Sequence, residues 1–347
     1  MKRLLFKLVG LCVLLGSVAA GWALMEYQRF ANGPINLTQD SYYFELKPGQ
    51  NLKTVAKRLE RDGIIKDARY LLALAYLHGE ANRIQVGEYR LIPGNTPKQV
   101  LDKLNQGDTI QYALTVVEGW TFRQLMETLN EAEKIRHELK GLSDKQIMAK
   151  LGLPDTHPEG QFLPDTYYFP GGMSDLQFLQ RAHEALVAVL DHAWQSRADK
   201  LPYKNAYQAL IMASIVEKET GVAEERPQIA GVFVRRLKKR MRLQTDPTVI
   251  YGLGDKYQGN IKKRHLKMDT PYNTYTRYGL PPTPIALAGR DAIQAALHPA
   301  PGDALYFVAT GDGSHVFNST LAAHNNDVIK YQVRHRRKEY SSTYRKN

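Results

Sequence analysis

The chain has 347 residues, 43% hydrophobic and 24% charged, with a formal net charge of +12; that supports one large domain or two modest ones with real cores. Its single cysteine, Cys12, excludes a disulfide framework and a cysteine-based metal site. The histidines lack HExxH or paired-ligand spacing, so neither a metal nor a cofactor is expected.

The positive balance points to an anionic partner, whether nucleic acid, acidic lipid or an acidic polymer, without choosing among them. Basic residues are mostly dispersed. The one dense cluster is Arg334, Arg336, Arg337, Lys338, Arg345 and Lys346 in the C-terminal stretch 334–347, which reads as a solvated tail.

Lys2, Arg3 and Lys7 precede an apolar run from Leu8 to Met25, about long enough to span a bilayer as a helix. Positive charges ahead of the run place residues 1–7 in the cytoplasm and the bulk of the chain outside. A cleaved signal peptide is the competing reading, because Ser17-Val18-Ala19-Ala20 offers small residues. The anchor is favoured, since the run continues through Trp22, Ala23, Leu24 and Met25.

Residues 26–40 read as a linker, and 41–112 as a small α+β subdomain containing two of three copies of a short repeat. The copies centre on Pro48-Gly49-Gln50-Asn51, Pro93-Gly94-Asn95-Thr96 and Glu118-Gly119-Trp120-Thr121. In each, a short β segment (Tyr43 to Leu46, Glu88 to Ile92, Leu114 to Val117) ends at the glycine. Asn51, Thr96 or Thr121 then caps a helix. The pairs Val55/Leu59, Val100/Leu104 and Leu125/Leu129 stand four apart on one helix face and are expected to bury together. Such units resemble LysM modules, which bind glycan chains.

Residues 113–333 read as a mixed helical and β domain, so the fold class is α+β throughout. Phe122 to Leu142, Ser143 to Leu151 and Leu176 to Arg197 carry helical periodicity. Pro158 to Pro170 is a loop dense in aromatics, with Glu159 and Asp165 in it. A helix runs from Leu210 to Thr220, closed by Gly221. A second runs from Glu224 to Lys239, with Ile229, Val232, Phe233 and Leu237 buried and Arg235 to Arg240 as its basic end. Ala304 to Ala309 and His315-Val316-Phe317 form a hairpin about Gly311-Asp312-Gly313-Ser314, followed by a helix from Leu321 to Tyr331.

Glu217 and Glu219 are the chemically interesting pair. Two residues apart on a helix, they point about 200° from each other. Glu217 falls on the side of Leu210, Ala213 and Ser214, whose small side chains leave room for a groove. Glu219 falls with Met212 and Ile215. A helix C-terminus and apolar surroundings both disfavour an ionised carboxylate, which would keep Glu217 protonated and able to act as a general acid. Two polar segments follow. Gln244-Thr245-Asp246-Pro247-Thr248 offers an amide, hydroxyls and a carboxylate, with Asp246 either a second catalytic group or a helix cap. Tyr272-Asn273-Thr274-Tyr275 and Gly279-Leu280-Pro281-Pro282 read as a rigid loop with aromatic platforms.

These stretches carry a resemblance. Ala213-Ser214-Ile215-Val216-Glu217-Lys218-Glu219-Thr220, the run Met241 to Gly252, Tyr272-Asn273-Thr274-Tyr275, Gly279-Leu280-Pro281-Pro282, Glu159-Gly160 with Pro164-Asp165-Thr166-Tyr167, and His315-Val316-Phe317-Asn318 resemble the signature of the YceG-like endolytic peptidoglycan transglycosylases. The resemblance implies a single-pass inner-membrane protein with a periplasmic catalytic domain and no nucleic-acid partner. It would cleave the MurNAc-GlcNAc bond inside nascent glycan strands, leave 1,6-anhydro ends and so terminate elongation. The family's catalytic glutamate is placed on Glu217, acting alone. Gln244, Thr245, Tyr272 and Asn273, with Glu159 and Asp246, are the candidates for holding the sugars. Coupling to peptidoglycan synthases fits that role, but no residue pattern encodes it. The rival readings are a two-carboxylate muramidase using Glu217 and Asp246 and a non-enzymatic glycan-binding scaffold.

Overall fold

The computed structural model describes residues Lys2–Arg334. Beyond Arg334 the basic tail expected from the sequence lies outside the described residues. The chain divides into two compact units. One holds the residues up to Ala113 together with Tyr168–Met173; the other holds Leu114–Tyr167 and the chain from Ser174 onward.

The first unit begins with helix α1 (Lys2–Asn32). Over Val9–Asn32 this helix is long and apolar enough to cross a membrane, with a mean hydropathy of 1.7. It does not give way to a linker at residue 26. Ala31 and Ile35 are buried in the core of the unit, and the Ile35 N–H donates to the Asn95 carbonyl. There follow β1 (Tyr42–Leu46), α2 (Leu52–Arg61), α3 (Ala68–Leu77), β2 (Gly87–Leu91) and α4 (Pro97–Gln106). β1 and β2 pair antiparallel, Tyr42 opposite Leu91 and Leu46 opposite Gly87. Asn51 and Thr96 cap α2 and α4 as the repeat predicts, Thr96 in a reciprocal capping box with Gln99. Val55, Leu59, Val100 and Leu104 are at most 3% exposed. The sequence pattern did not announce α3, an apolar helix whose Leu71 and Leu74 complete the same core.

β3 (Gln111–Thr115) pairs with β4 (Thr166–Pro170), and the division between units falls within both strands. β3 starts earlier than the repeat suggests. By Val116 the backbone has left the ladder and donates to the Asp165 carbonyl at 2.9 Å. The end of the expected Pro158–Pro170 loop is therefore a strand.

The second unit is mainly helical. Thr121 caps α5 (Phe122–Glu131), which buries Leu125 and Leu129. α5 stops at Glu131 rather than running to Leu142, and Asp175 explains why. Its buried carboxylate accepts the N–H groups of Glu138 and Leu139, each at 3.0 Å, while its own N–H donates to Arg136 O. These bonds offer the 132–142 backbone an alternative to helix, and Ile135 and Leu139 stay buried within it. Next come α6 (Asp144–Lys150), α7 (Asp175–Gln195), α8 (Ala206–Glu219), α9 (Arg226–Lys238), α10 (Asp246–Leu253), α11 (Lys263–Lys267) and α12 (Arg290–Leu297). The hairpin β5 (Tyr306–Ala309) and β6 (His315–Asn318) pairs antiparallel, and α13 (Leu321–Val328) runs into a π-helical turn, Ile329–Arg334. α8 is the central helix: Ala209 to Val216 are all buried, with α7, α9, α10 and α12 packed around it.

Asp175→Ala is expected to destabilise the second unit by about 2–3 kcal/mol, because a buried and a half-buried N–H group lose a charged acceptor. Urea denaturation of the variant checks this.

Candidate active site

The site forms where α8 emerges from its packing. Asn205 caps its start, accepting the Gln208 N–H at 3.0 Å. At its far end the two carboxylates diverge as the helical wheel requires, but their surroundings are not those the side-chain sizes suggested.

The room expected above Glu217 is filled. Ser214 Oγ accepts the Ile285 N–H at 3.0 Å, which lays the 285–289 segment along that face of α8. Glu217 Oε2 accepts the Gly289 N–H at 2.9 Å, and Oε1 lies 3.3 Å from Arg226 Nη2. Arg226, itself buried, also reaches Glu118 at 3.5 Å and Asp291 at 3.4 Å. The Glu217 side chain is 5% exposed. Burial pushes its carboxyl above the usual range, opposed by the Gly289 N–H and the Arg226 charge. These contacts make Glu217 a tie between α8, the start of α9 and the segment leading into α12.

Glu219 faces elsewhere. It lines a cavity of about 870 Å³ together with Arg236, Gln244, Asp246, Tyr275 and His315. Thr245 Oγ1 donates to its Oε1. Burial pushes the Glu219 carboxyl up to about 7; the Thr245 hydroxyl opposes this and the nearby Asp246 charge adds to it. At neutral pH a substantial fraction of Glu219 is therefore protonated while the group borders open space, as a general acid requires.

The Gln244–Thr248 segment is built around this carboxylate. Gln244 adopts a left-handed backbone, φ 51°, a conformation that costs a non-glycine residue about 1–2 kcal/mol. Its N–H donates to the Thr274 carbonyl at 3.2 Å. The reversal leaves the Gln244 side chain exposed on the cavity wall and turns Thr245 inward. Thr245 is locked by Thr274 and Thr248: its N–H donates to Thr274 Oγ1 at 3.0 Å, and its carbonyl accepts from Thr248 Oγ1 at 2.8 Å. Asp246 is exposed at the start of α10 and accepts from the Tyr275 hydroxyl at 2.6 Å.

Other sequence candidates lie apart from the cavity wall. Asn273 is 1% exposed, its amide committed to the backbone. Nδ2 donates to the carbonyls of His265, Leu266 and Met268, and Oδ1 accepts the Tyr275 N–H. It shapes the loop that delivers Thr274 and Tyr275. Tyr272 packs edge-on against Tyr251 with ring centroids 4.8 Å apart, and its hydroxyl bonds Thr283 at 2.9 Å. Glu159 is buried and accepts the Phe122 N–H at 3.0 Å; burial raises it to about 7. Neither Tyr272 nor Glu159 lines the cavity.

Sequence reading missed Arg236, grouped there with the basic end of its helix. Its guanidinium turns inward, donating to the carbonyls of Leu305 at 2.7 Å and Leu243 at 2.6 Å, and lies over the Tyr306 ring, 5.1 Å from the centroid. Tyr275 stood in that reading only as part of an aromatic loop and His315 only as part of the hairpin.

A profile of the YceG-like family matches residues 44–330. The chain is 34% identical over 307 residues to an endolytic murein transglycosylase of Bacillus subtilis, covering 82% of each. The chain belongs to the YceG-like family. It is also 25% identical over 345 residues to an endolytic murein transglycosylase of Streptococcus pneumoniae serotype 2, covering 90% of this chain and 62% of that protein. A crystal structure of a yceG-like protein from Listeria monocytogenes is similar at a TM-score of 0.52 and 30% identity, over 83% of this chain and 99% of that one.

If Glu217 ties these elements together, Glu217→Leu lowers stability by about 3 kcal/mol, because Arg226 and the Gly289 N–H lose a buried acceptor. Chemical denaturation reads the loss.

Proposed function

We propose that this protein is an endolytic murein transglycosylase, a lyase that cuts the MurNAc-GlcNAc bond within nascent peptidoglycan strands, and that Glu219 is its single catalytic acid and base. The reaction is supported by the family and by the names its relatives carry. The assignment within the site rests on one observation: of the two carboxylates ending α8, Glu219 is the one that borders the cavity, while Glu217 is paired with Arg226 and Gly289.

Protonated Glu219 gives its proton to the glycosidic oxygen. The C1–O bond breaks and its electron pair leaves with that oxygen. The resulting carboxylate takes the proton of the C6 hydroxyl of the same sugar, and O6 closes on C1. The product ends in a 1,6-anhydro ring, no water is consumed, and Glu219 returns to its acid form. Thr245 holds the carboxylate throughout, and Gln244 supplies a neutral donor to the sugars. A second carboxylate, which a hydrolase needs, is not required.

The LysM-like reading of residues 41–112 joins this proposal as a glycan-binding unit. The β1–β2 sheet closed by α2, α3 and α4 supports it. α1 serves as a single-pass anchor with the catalytic unit on the periplasmic face, where coupling to peptidoglycan synthases would occur.

Mass spectrometry of glycan strands digested by the purified protein should show 1,6-anhydro ends. Reducing ends would instead mark a hydrolase, with Asp246 as the second carboxylate. Glu219→Gln should lower turnover by about a thousandfold and Glu217→Gln far less; the reverse order returns the acid role to Glu217.

The acid form of Glu219 is lost as pH rises through about 7, so kcat/KM should fall above that pH. Thr245→Val removes a donor that favours the carboxylate, and a pH–rate profile should show that limb moving to higher pH.

A further inference from the structure

The cavity lining also carries an imidazole whose orientation is fixed by a carboxylate. Glu225, in the short turn ahead of α9, makes two bonds to one residue of β6. Oε1 accepts the His315 backbone N–H at 2.8 Å, and Oε2 lies 2.7 Å from His315 Nδ1. Thr220 Oγ1, next in sequence to Glu219, donates to the same Oε2 at 3.3 Å. The Phe307 ring meets the imidazole edge-on at 5.4 Å. The hairpin is thereby docked onto the C-terminal end of α8 through Glu225, and the His315 side chain is 4% exposed.

A carboxylate on Nδ1 selects one tautomer. Nδ1 carries the hydrogen it donates, and in the neutral ring Nε2 is left as an acceptor. Nε2 takes no hydrogen bond from the described residues, and His315 lines the Glu219 cavity. Glu219 already accepts from Thr245 and Asp246 from Tyr275. Arg236 and Lys218 can only donate. A hexosamine presents hydroxyl and acetamido N–H donors, and each needs an acceptor once it leaves water.

We infer that His315, held by Glu225, is a substrate-positioning residue whose Nε2 accepts a hydrogen bond from a hydroxyl or acetamido N–H of the bound glycan. Glu225 acts through His315. This rests on the proposed transglycosylase reading and adds to it a further group lining the cavity.

The test uses His315→Asn, because the asparagine amide sits near the Nδ1 position and preserves a donor to Glu225 while deleting Nε2. Its melting temperature should stay close to the parent's. In a Glu219→Gln background, the affinity for a tetramer of N-acetylglucosamine, measured by calorimetry, should fall about three- to tenfold, the range for one hydrogen bond. With Glu219 intact, KM should rise while kcat changes little, the pattern of uniform binding. If His315→Asn fails to fold, ¹⁵N NMR of the histidine rings in the Glu219→Gln protein replaces it. Adding the tetramer should then shift the Nε2 resonance of His315. Unchanged affinity in a folded His315→Asn protein, or an unmoved Nε2 resonance with the tetramer bound, overturns the inference and leaves His315 as a hairpin clasp. Failure of the tetramer to bind the Glu219→Gln protein at all overturns the transglycosylase reading together with it.

Discussion

The site depends on the burial of one helix. From Ala209 to Val216 every residue of α8 is buried, so the helix cannot rotate to improve the fit of any group at its end. The first two acidic residues beyond that run, Glu217 and Glu219, emerge in fixed and nearly opposite directions, and each needs a polar partner. One finds a cation and a backbone N–H. The other finds a threonine hydroxyl and a cavity. The same helical geometry thus gives one carboxylate an ion pair and the other a place on the cavity wall, two residues apart.

The repeat was the most legible part of the fold. Capping residues and buried pairs are local features: Asn51, Thr96 and Thr121 need only the next turn, and the spacing of Val100 and Leu104 is helical geometry alone. Periodicity failed where a distant side chain competed for backbone groups. Nothing in 132–142 shows that Asp175, far along the chain, will take the N–H groups of Glu138 and Leu139. At the site, the motifs named most of the neighbourhood but not its arrangement. The wheel separated Glu217 from Glu219 correctly, yet small neighbours were read as room for substrate. Small side chains at a helix face equally invite another segment to pack closely, as Ser214 and Ile285 do. Arg236 misled for a related reason: a basic helix end looks solvated until the carbonyls of Leu243 and Leu305 are placed beside it.

Two kinds of residue are mixed within the polar motifs, and burial sorts them. Asn273 and Thr274 organise backbone. Gln244 and Tyr275 are carried on that backbone to the cavity. The left-handed Gln244 shows the division within one dipeptide, since the turn that exposes Gln244 is the turn that directs Thr245 onto Glu219. A loop of this design holds Glu219 by the Thr245 hydroxyl rather than by a salt bridge. That choice matters, because a guanidinium paired with Glu219 would favour its ionised form, as the more distant Arg236 already does weakly.

The same burial carries a cost to stability that can be given a sign. Glu219 has its folded-state pKa raised from 4.5 to about 7. Relative to ionised Glu219, the favourable contribution of the protonated side chain is fully present below its unfolded value and is lost as pH rises through about 7. Ionising Glu219 in the folded state therefore costs stability that the unfolded chain does not lose. Glu217 bears a related desolvation but has Arg226 and Gly289 to offset it. The fold accommodates an unpaired carboxyl at Glu219 because the buried run of α8 and the clasped loops around it supply the stability that this group withholds.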